Sequence, residues 1–330
     1  MAKGNNQRLK LLYLTQILME QTDEDHGISM PDIISRLAAL DITADRKTLY
    51  SDFEELRKFG VDVIGEKDGK SYLYHIASSD FELPELKLLV DSVQAAKFIT
   101  EKKSRALIKK LEKLVSVHEA KQLQRQVLIS GRVKTMNESI YYNVDKIHTA
   151  INTNSQIRFQ YYQWNVEKQQ ELRHDGAWYH VSPWHLIWDD EYYYLVAYDA
   201  ASGILKHYRV DKMLRITVLD KEREGKELAE ATDAASYSKA YFGMYGGEKT
   251  LVTLRASNDY AGILIDRFGK DIPLTPEDDD HFRTNIEVVP NDIFLSWIMS
   301  FGENIKVIGP DCVLESVRKL LRDMNDTYHD

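Results

Sequence analysis

Arg46, Lys47, Thr48, Tyr50 and Ser51 place a guanidinium, an ammonium and three hydroxyls within six residues. Donors of these types suit phosphate oxygens and base edges. Lys67 and Lys70 lie beside an Asp68-Gly69 turn, where two more cations can reach phosphate. Nothing comparable points to catalysis. The chain holds no GxxxxGK[ST] or GxGxxG loop, no HExxH and no GxSxG. Its one cysteine, Cys312, excludes an intramolecular disulfide framework and a Cys-cluster zinc site. Cys312 follows Pro310-Asp311 at an expected helix start, where a thiolate can be stabilised, but a buried or incidental cysteine is the simpler reading. His174, His180, His185 and His207 match no standard metal spacing, and Asp189-Asp190 reads as a turn. The expectation is a non-enzyme with no catalytic residue, metal or cofactor.

The elements that carry the donors follow from periodicity. Leu9, Tyr13 and Ile17, with Leu14 and Leu18 beside them, stripe a first helix. Ser29 stands three residues before Asp32, with Pro31 between, and so starts a second helix whose buried face is Ile33, Ile34, Leu37 and Ala38. After Asp41–Ala44, Leu49, Phe53 and Leu56 face inward on a third helix, and Gly60 stops it. Its other side shows Lys47, Ser51, Glu54 and Lys58, with Tyr50 flanking. Val61–Ile64, the Asp68-Gly69 turn and Tyr72–Ile76 then form a hairpin. Three helices and a two-stranded wing describe a winged helix-turn-helix, whose third helix enters the major groove of DNA. The plainer alternative is a protein-interaction domain of the same shape.

Charge divides the rest. The 330 residues sum to −9, with 43% hydrophobic and 29% charged. Residues 1–80 hold 10 basic and 14 acidic groups, net −4; residues 81–137 hold 12 and 6, net +6; residues 138–220 hold 8 and 11, net −3; residues 221–330 hold 13 and 21, net −8. This balance argues against a basic nucleic-acid sleeve but leaves room for a small reading surface. The +6 stretch reads as a helical connector. Pro84 opens a helix with Leu86, Leu89, Val90, Val93 and Ala96 inward; Ser104 can cap a second, with Leu107, Ile108, Leu111, Leu114 and Val115 inward. Lys102, Lys103, Arg105, Lys109, Lys110 and Lys113 fill the remaining side, most simply as a solvated face, with a phosphate-contacting or oligomerising connector as the alternative. The apolar stripes need burial against each other or a second subunit, so a homodimer is expected. No apolar run approaches the ~18 residues of a membrane span, and no signal core is visible, so a cytoplasmic protein without membrane contact is expected.

Beyond a helix-like stretch, Ile140–Thr153, the period changes to short strands. Ile157–Trp164, Ala177–Val181, Trp184–Trp188, Glu191–Tyr198, Ile204–Val210 and Leu214–Leu219 suggest a small barrel. Four of the five tryptophans fall between Trp164 and Trp188. From Leu251 onward a β-α-β-α-β-α order appears: strands Leu251–Ala256, His281–Val289 and Lys306–Ile308, helices Asp259–Phe268, Asn291–Phe301 and Val313–Met324.

These stretches resemble the WYL-domain transcriptional regulators. Arg8–Leu14 is similar to their first helix, and Arg46–Leu56 resembles their DeoR-type recognition helix, with Ser51 where Arg is common. Tyr193-Tyr194-Leu195 corresponds to the naming tripeptide, Val181–Leu186 to a strand-entry motif, and Tyr208–Met213 to a Phe-Arg-Leu-Asp-Arg-Ile element, with Lys212 for the final Arg. Ser236–Gly247 resembles the segment that follows the WYL domain. The resemblance covers essentially the whole chain in domain order. It implies a multidomain α+β protein: a winged helix-turn-helix DNA-binding domain (1–80), a helical connector (81–137), an SH3- or Sm-like WYL β-barrel (138–220) and a C-terminal α+β ferredoxin-like extension (221–330). It further implies a ligand-responsive DNA-binding regulator that senses a nucleotide or oligonucleotide. Ser182, His185, Tyr194, Arg209 and Lys212 are the ligand positions carried over from the family. Arg209 and Lys212 can hold phosphate, whereas Tyr194 can equally be barrel core and His185 can serve a backbone carbonyl. The DNA contacts would be Arg46, Lys47, Thr48, Tyr50, Ser51, Lys67 and Lys70, on a double-stranded operator. The alternative function is a nucleic-acid-sensing accessory factor whose winged helix binds a protein.

Overall fold

The computed structural model describes residues 6–77, 81–123, 134–231, 237 and 239–329. The chain divides into two units, Met1–Glu138 and Ser139–Asp330. Both mix helices with antiparallel sheets.

In the first unit, α1 (Lys10–Gln21) buries Leu14, Ile17 and Leu18, while Leu9 stays exposed at the end of the stripe. Strand β1 (Ile28–Ser29) leads into α2 (Met30–Ala39), where the Ser29 hydroxyl accepts from the Asp32 amide at 3.3 Å, the cap its sequence predicts. Helix α3 (Arg46–Phe59) opens with a reciprocal cap that the sequence reading did not anticipate: the Asp45 carboxylate accepts from the Thr48 amide, and the Asp45 amide donates to the Thr48 hydroxyl. It closes on Gly60 at φ +103°, a left-handed position that suits glycine. The hairpin β2 (Val63–Asp68) and β3 (Ser71–Ile76) pairs from Val63↔Ile76 to Asp68↔Ser71. β1 adds a third strand through Ile28↔Tyr74, too short to be visible as a periodic run. Ile33, Leu37, Leu49, Phe53 and Val63 meet α1 in one core.

The connector forms α4 (Leu83–Ala95), α5 (Glu101–Leu111) and α6 (Val117–Leu123). Thr100, not Ser104, caps α5 by accepting from the Lys103 amide. Ser104 is instead buried, donating to the Val93 carbonyl and accepting from the Lys134 ammonium at 2.7 Å. Leu86, Val90, Val115 and Leu123 are buried, but Leu89 and Leu114, expected inward, are exposed. Part of the connector, residues 124–133, lies outside the described residues. Ser116 ties α6 to the helical domain: its hydroxyl bonds the Asp23 carboxylate and accepts from the amide of Glu119. The His26 and His118 rings stack beside this contact, 3.9 Å apart and 1° from parallel.

The second unit starts with α7 (Ile140–Asn152), then β4 (Ser155–Trp164), β5 (Gln170–Leu172), β6 (Tyr179–Asp189), β7 (Tyr192–Asp199), β8 (Ile204–Arg209) and β9 (Met213–Glu222). The two strands expected on either side of Pro183 are one strand, β6, with a register shift between Pro183 and His185. β4 pairs with β6 and β9, and the row continues β6-β7-β8, curling into a half-barrel. Phe159, Tyr161, Tyr179 and Tyr208 cluster inside, Phe159 and Tyr179 stacking at 5.2 Å. α7 covers the sheet, and its Asn143 and Lys146 donate to the carbonyls of Met213 and Ile216, each at 2.9 Å.

Gly225, at φ +79°, opens a short helix, α8 (Lys226–Glu230); a Cβ there would sit 2.2 Å from the Tyr198 ring. Residues 236 and 238 of the Ser236–Gly247 segment lie outside the described residues; Tyr237 stacks on Tyr241 at 4.2 Å and its hydroxyl bonds His207 Nε2. Strands β10 (Thr250–Ser257), β11 (Thr275–Pro276), β12 (His281–Val288) and β13 (Ile305–Gly309) form an antiparallel sheet in the order β11-β12-β10-β13. Helices Ala261–Phe268, Asp292–Met299 and Asp311–Thr327 contribute Leu264, Phe294, Leu295 and Val313 to its core. The alternation matches the expected β-α-β-α-β-α order apart from the added β11. Cys312, in the first turn of the last helix, is exposed rather than buried.

Burial holds the pKa of His207 down at about 4, so the folded chain carries it neutral where an unfolded chain charges it. The sign follows: nothing is gained or lost above pH 6.5, and stability falls as pH drops from about 6.5 toward 4, by a few kcal/mol at most. Chemical denaturation across that range should show the loss in the native sequence and a shallower slope in His207→Gln.

Candidate functional site

Two groups of polar residues stand out, one in each unit. In the first, Arg46, Lys47, Thr48, Tyr50 and Ser51 are all exposed on the first two turns of α3, as the helical wheel requires once Leu49 and Phe53 are buried. Their chemical freedom differs. The Thr48 hydroxyl is occupied by the cap, donating to the Asp45 carbonyl at 3.0 Å. Arg46 Nε donates to the Tyr50 hydroxyl at 3.0 Å, its guanidinium carbon lies 5.6 Å from the centre of the Tyr50 ring, and its two terminal nitrogens are not used in that bond. The Tyr50 oxygen lies 3.1 Å from that of Tyr74 on β3. Lys47 and Ser51 make no side-chain hydrogen bond among the described residues. The Thr48 amide holds the Asp45 carboxyl below its ordinary pKa, so a fixed negative charge sits beside the helix start.

Lys67 on β2 and Lys70 in the turn are exposed at the tip of the hairpin. Arg57 fixes the base of that hairpin by donating from Nε to the Val63 carbonyl at 2.8 Å, while its Nη1 bonds Glu54 at 2.6 Å. Lys10 and Asp52 pair at 2.5 Å between α1 and α3. The cations at the far end of α3 are thus engaged in structure, whereas those at its start and on the hairpin tip face solvent.

The second group centres on Arg209, the last residue of β8. It grips Asp211 with two bonds, Nε to Oδ1 at 3.1 Å and Nη2 to Oδ2 at 2.8 Å. Its guanidinium carbon stands 3.6 Å from the centre of the Tyr192 ring. Its backbone amide donates to the Tyr161 hydroxyl at 3.1 Å. Burial disfavours its charge, but the bonds to Asp211 outweigh that and raise its pKa. Lys212 is shifted the other way, by burial and by the neighbouring Arg209. Tyr194 pairs with Arg209 across β7 and β8; it is buried, and burial pushes its hydroxyl up to about 12.

Ser182 and His185 lie on β6, on the other side of β7 from Arg209, with His185 the nearer of the two to Tyr194. Ser182 pairs with Tyr198, four residues along β7 from Tyr194, about 13 Å at strand spacing. Its hydroxyl accepts from the Glu224 amide at 2.8 Å and is 2% exposed as a residue. His185 pairs with Val196, and its Nε2 is buried without a hydrogen-bond partner. The structure therefore brings Tyr194, Arg209 and Lys212 together and leaves Ser182 occupied at a distance.

Three neighbours of this group escaped the sequence reading. Asp211 stands two residues after Arg209, a spacing that was there to be noticed. Tyr192 shares a strand face with Tyr194 by the two-residue period. Arg173 acts on Lys212 and Tyr161 electrostatically from far away in sequence, and no local pattern announces it. Arg209, Arg173 and Asp211 act on Lys212, while Asp189, Asp190 and Asp211 act on Tyr194, so cations and carboxylates are matched around this group. Among the described residues no three His, Cys, Asp or Glu side chains form a metal cluster.

A WYL-domain model matches residues 142–218, and a WCX-domain model matches residues 248–324. The first spans α7 through most of β9, and the second spans the four-stranded sheet with its helices. No curated protein matches the sequence. Among solved structures, proteasome accessory factor B/C (PafBC) of Arthrobacter aurescens is similar at 17% identity and a TM-score of 0.27, over 93% of this chain and 45% of that one. The chain spans less than half the length of that protein.

Removing a guanidinium from a buried carboxylate is costly. Arg209→Ala should destabilise the second unit by about 3 kcal/mol, and Arg209→Ala with Asp211→Ala should recover part of that loss. Thermal melting of the single and double variants reads both effects.

Proposed function

We propose that the chain is a ligand-responsive DNA-binding transcriptional regulator. The observation that carries this is the start of α3. Arg46, Lys47, Tyr50 and Ser51 project to solvent from a capped helix, beside a hairpin tip that carries Lys67 and Lys70. The first unit is read as a winged helix-turn-helix of DeoR type. Its α3 enters the major groove, with side chains at the helix start meeting base edges, while the lysines meet phosphates. The Thr48 hydroxyl is better understood as the cap than as a base contact. The matched WYL domain supports a regulatory role for the second unit.

In this reading residues 138–220 form an SH3- or Sm-like barrel, and residues 221–330, which include the WCX region, a ferredoxin-like module. An anionic ligand, a nucleotide or oligonucleotide, meets the barrel at Arg209 and Lys212, with Tyr192 and Tyr194 beside them. Ser182 supports the barrel by fixing the backbone at Glu224. The protein acts as a homodimer on paired half-sites. Ligand controls occupancy through different affinities for the DNA-competent and DNA-incompetent arrangements, since a ligand that binds both equally shifts nothing.

Genomic mapping of bound sites is the direct test, followed by titration of salt against a bound sequence and a scrambled duplex. The reading requires clear preference for the bound sequence; equal or absent binding overturns it. Each phosphate contact contributes a slope of about −0.9 in log K against log salt. Lys47→Ala and Lys70→Ala should each flatten the slope by about one unit. Arg46→Ala should instead cost about 1–3 kcal/mol of discrimination at one base pair.

A further inference from the structure

The exposed start of α3 is tied to the buried face of the hairpin through three side chains. Arg46 Nε donates to the Tyr50 hydroxyl at 3.0 Å, and the Tyr50 and Tyr74 oxygens are 3.1 Å apart. Exposure falls steadily along this chain: Arg46 is exposed, Tyr50 is 40% exposed and Tyr74 is 5% exposed. Only the last ring is anchored on all sides. It packs against Phe53 with centroids 5.0 Å apart, and β3 holds its backbone between β1 and β2.

The site is shaped to take that ring. Across the ladder from Tyr74 stands Gly65, where a Cβ would lie 2.9 Å from the Tyr74 Cε1. Gly65 has an ordinary backbone conformation, so the residue supplies room and not flexibility. The ring leans over β2 through that gap, and its hydroxyl emerges next to Tyr50. Burial and the Tyr50 contact raise the Tyr74 hydroxyl to about 12, whereas its bonds to Tyr74 and Arg46 lower that of Tyr50.

We propose that Tyr74 is a positioning residue for base recognition: acting through Tyr50, it fixes the direction of the Arg46 guanidinium and so determines sequence discrimination. The inference rests on the reading of the first unit as a DNA-binding domain. Its physical basis is preorganisation. A free arginine loses rotamer freedom when it docks, while one already held at Nε has lost much of it beforehand. Using Nε for Tyr50 leaves the two terminal nitrogens to donate together, the geometry that meets O6 and N7 of guanine. A phosphate, by contrast, accepts from a guanidinium in many orientations. Loosening Arg46 therefore weakens discrimination and spares sequence-independent binding.

Tyr74→Phe deletes the hydroxyl and keeps the ring. The probes are a duplex selected by the wild-type protein from a random library and a scrambled duplex of equal length, with affinities measured across a salt series. Tyr74→Phe should reduce the ratio of the two affinities about 3- to 10-fold, the effect of one lost hydrogen bond, with scrambled-duplex affinity and salt slope unchanged. Tyr50→Phe should reproduce that loss, and the double variant should lose no more than either alone. Lys47→Ala should lower both affinities together. A ratio that survives Tyr74→Phe, a proportional loss on both duplexes, or additive losses in the double variant overturns the inference. Failure of the wild-type protein to select any duplex removes the DNA-binding reading itself, and is seen before any variant is made.

Discussion

The turn from β8 into β9 is the contact on which the second unit depends. Arg209, Val210, Asp211 and Lys212 carry the chain from one edge of the half-barrel to the strand that pairs back onto β4. The turn is pinned from three directions. Arg209 closes on Asp211 through two hydrogen bonds, Tyr161 accepts from its amide, and Asn143 of α7 donates to the carbonyl of Met213. Charged groups are tolerated in a half-buried setting only when neutralised and hydrogen-bonded. That requirement makes Arg209 a structural residue before it is anything else. Its Nε and Nη2 are both taken up by Asp211, so the pair closes the turn on itself.

Similar economy governs the first unit. Cations near the end of α3 are absorbed by structure: Arg57 by the Val63 carbonyl and Glu54, Lys58 by Glu55. Those at the beginning and on the hairpin tip remain available. Exposed carboxylates stand among them, Asp45 beside the helix start and Glu66 and Asp68 on either side of Lys67.

Much of the fold was legible in the sequence. Leu49, Phe53 and Leu56 placed the buried face of α3, and so its exposed face, because helical period leaves no other arrangement. Gly60 marked the end of α3, and the hairpin turn falls at Gly69-Lys70, one residue past the Asp68-Gly69 pair that signalled it, with Gly60 and Gly69 both at positive φ. Errors arose where partners lie far apart in sequence. Ser104 looked like a cap and is a buried acceptor for Lys134; the strand across Pro183 looked broken and is continuous. The two-residue β1 exists only because β3 is beside it.

The sequence by itself determined the longer helices and strands, most of their apolar faces, and where cations and hydroxyls cluster, since these follow from residue type and local period. Only the tertiary structure decided which of those polar groups are already used. Ser182 is committed to Glu224, 42 residues away, and Tyr50 meets Tyr74 across 24 residues. A hydrogen bond is a short-range, directional contact. Its partner is fixed by the folded path of the chain, and no local pattern encodes that path.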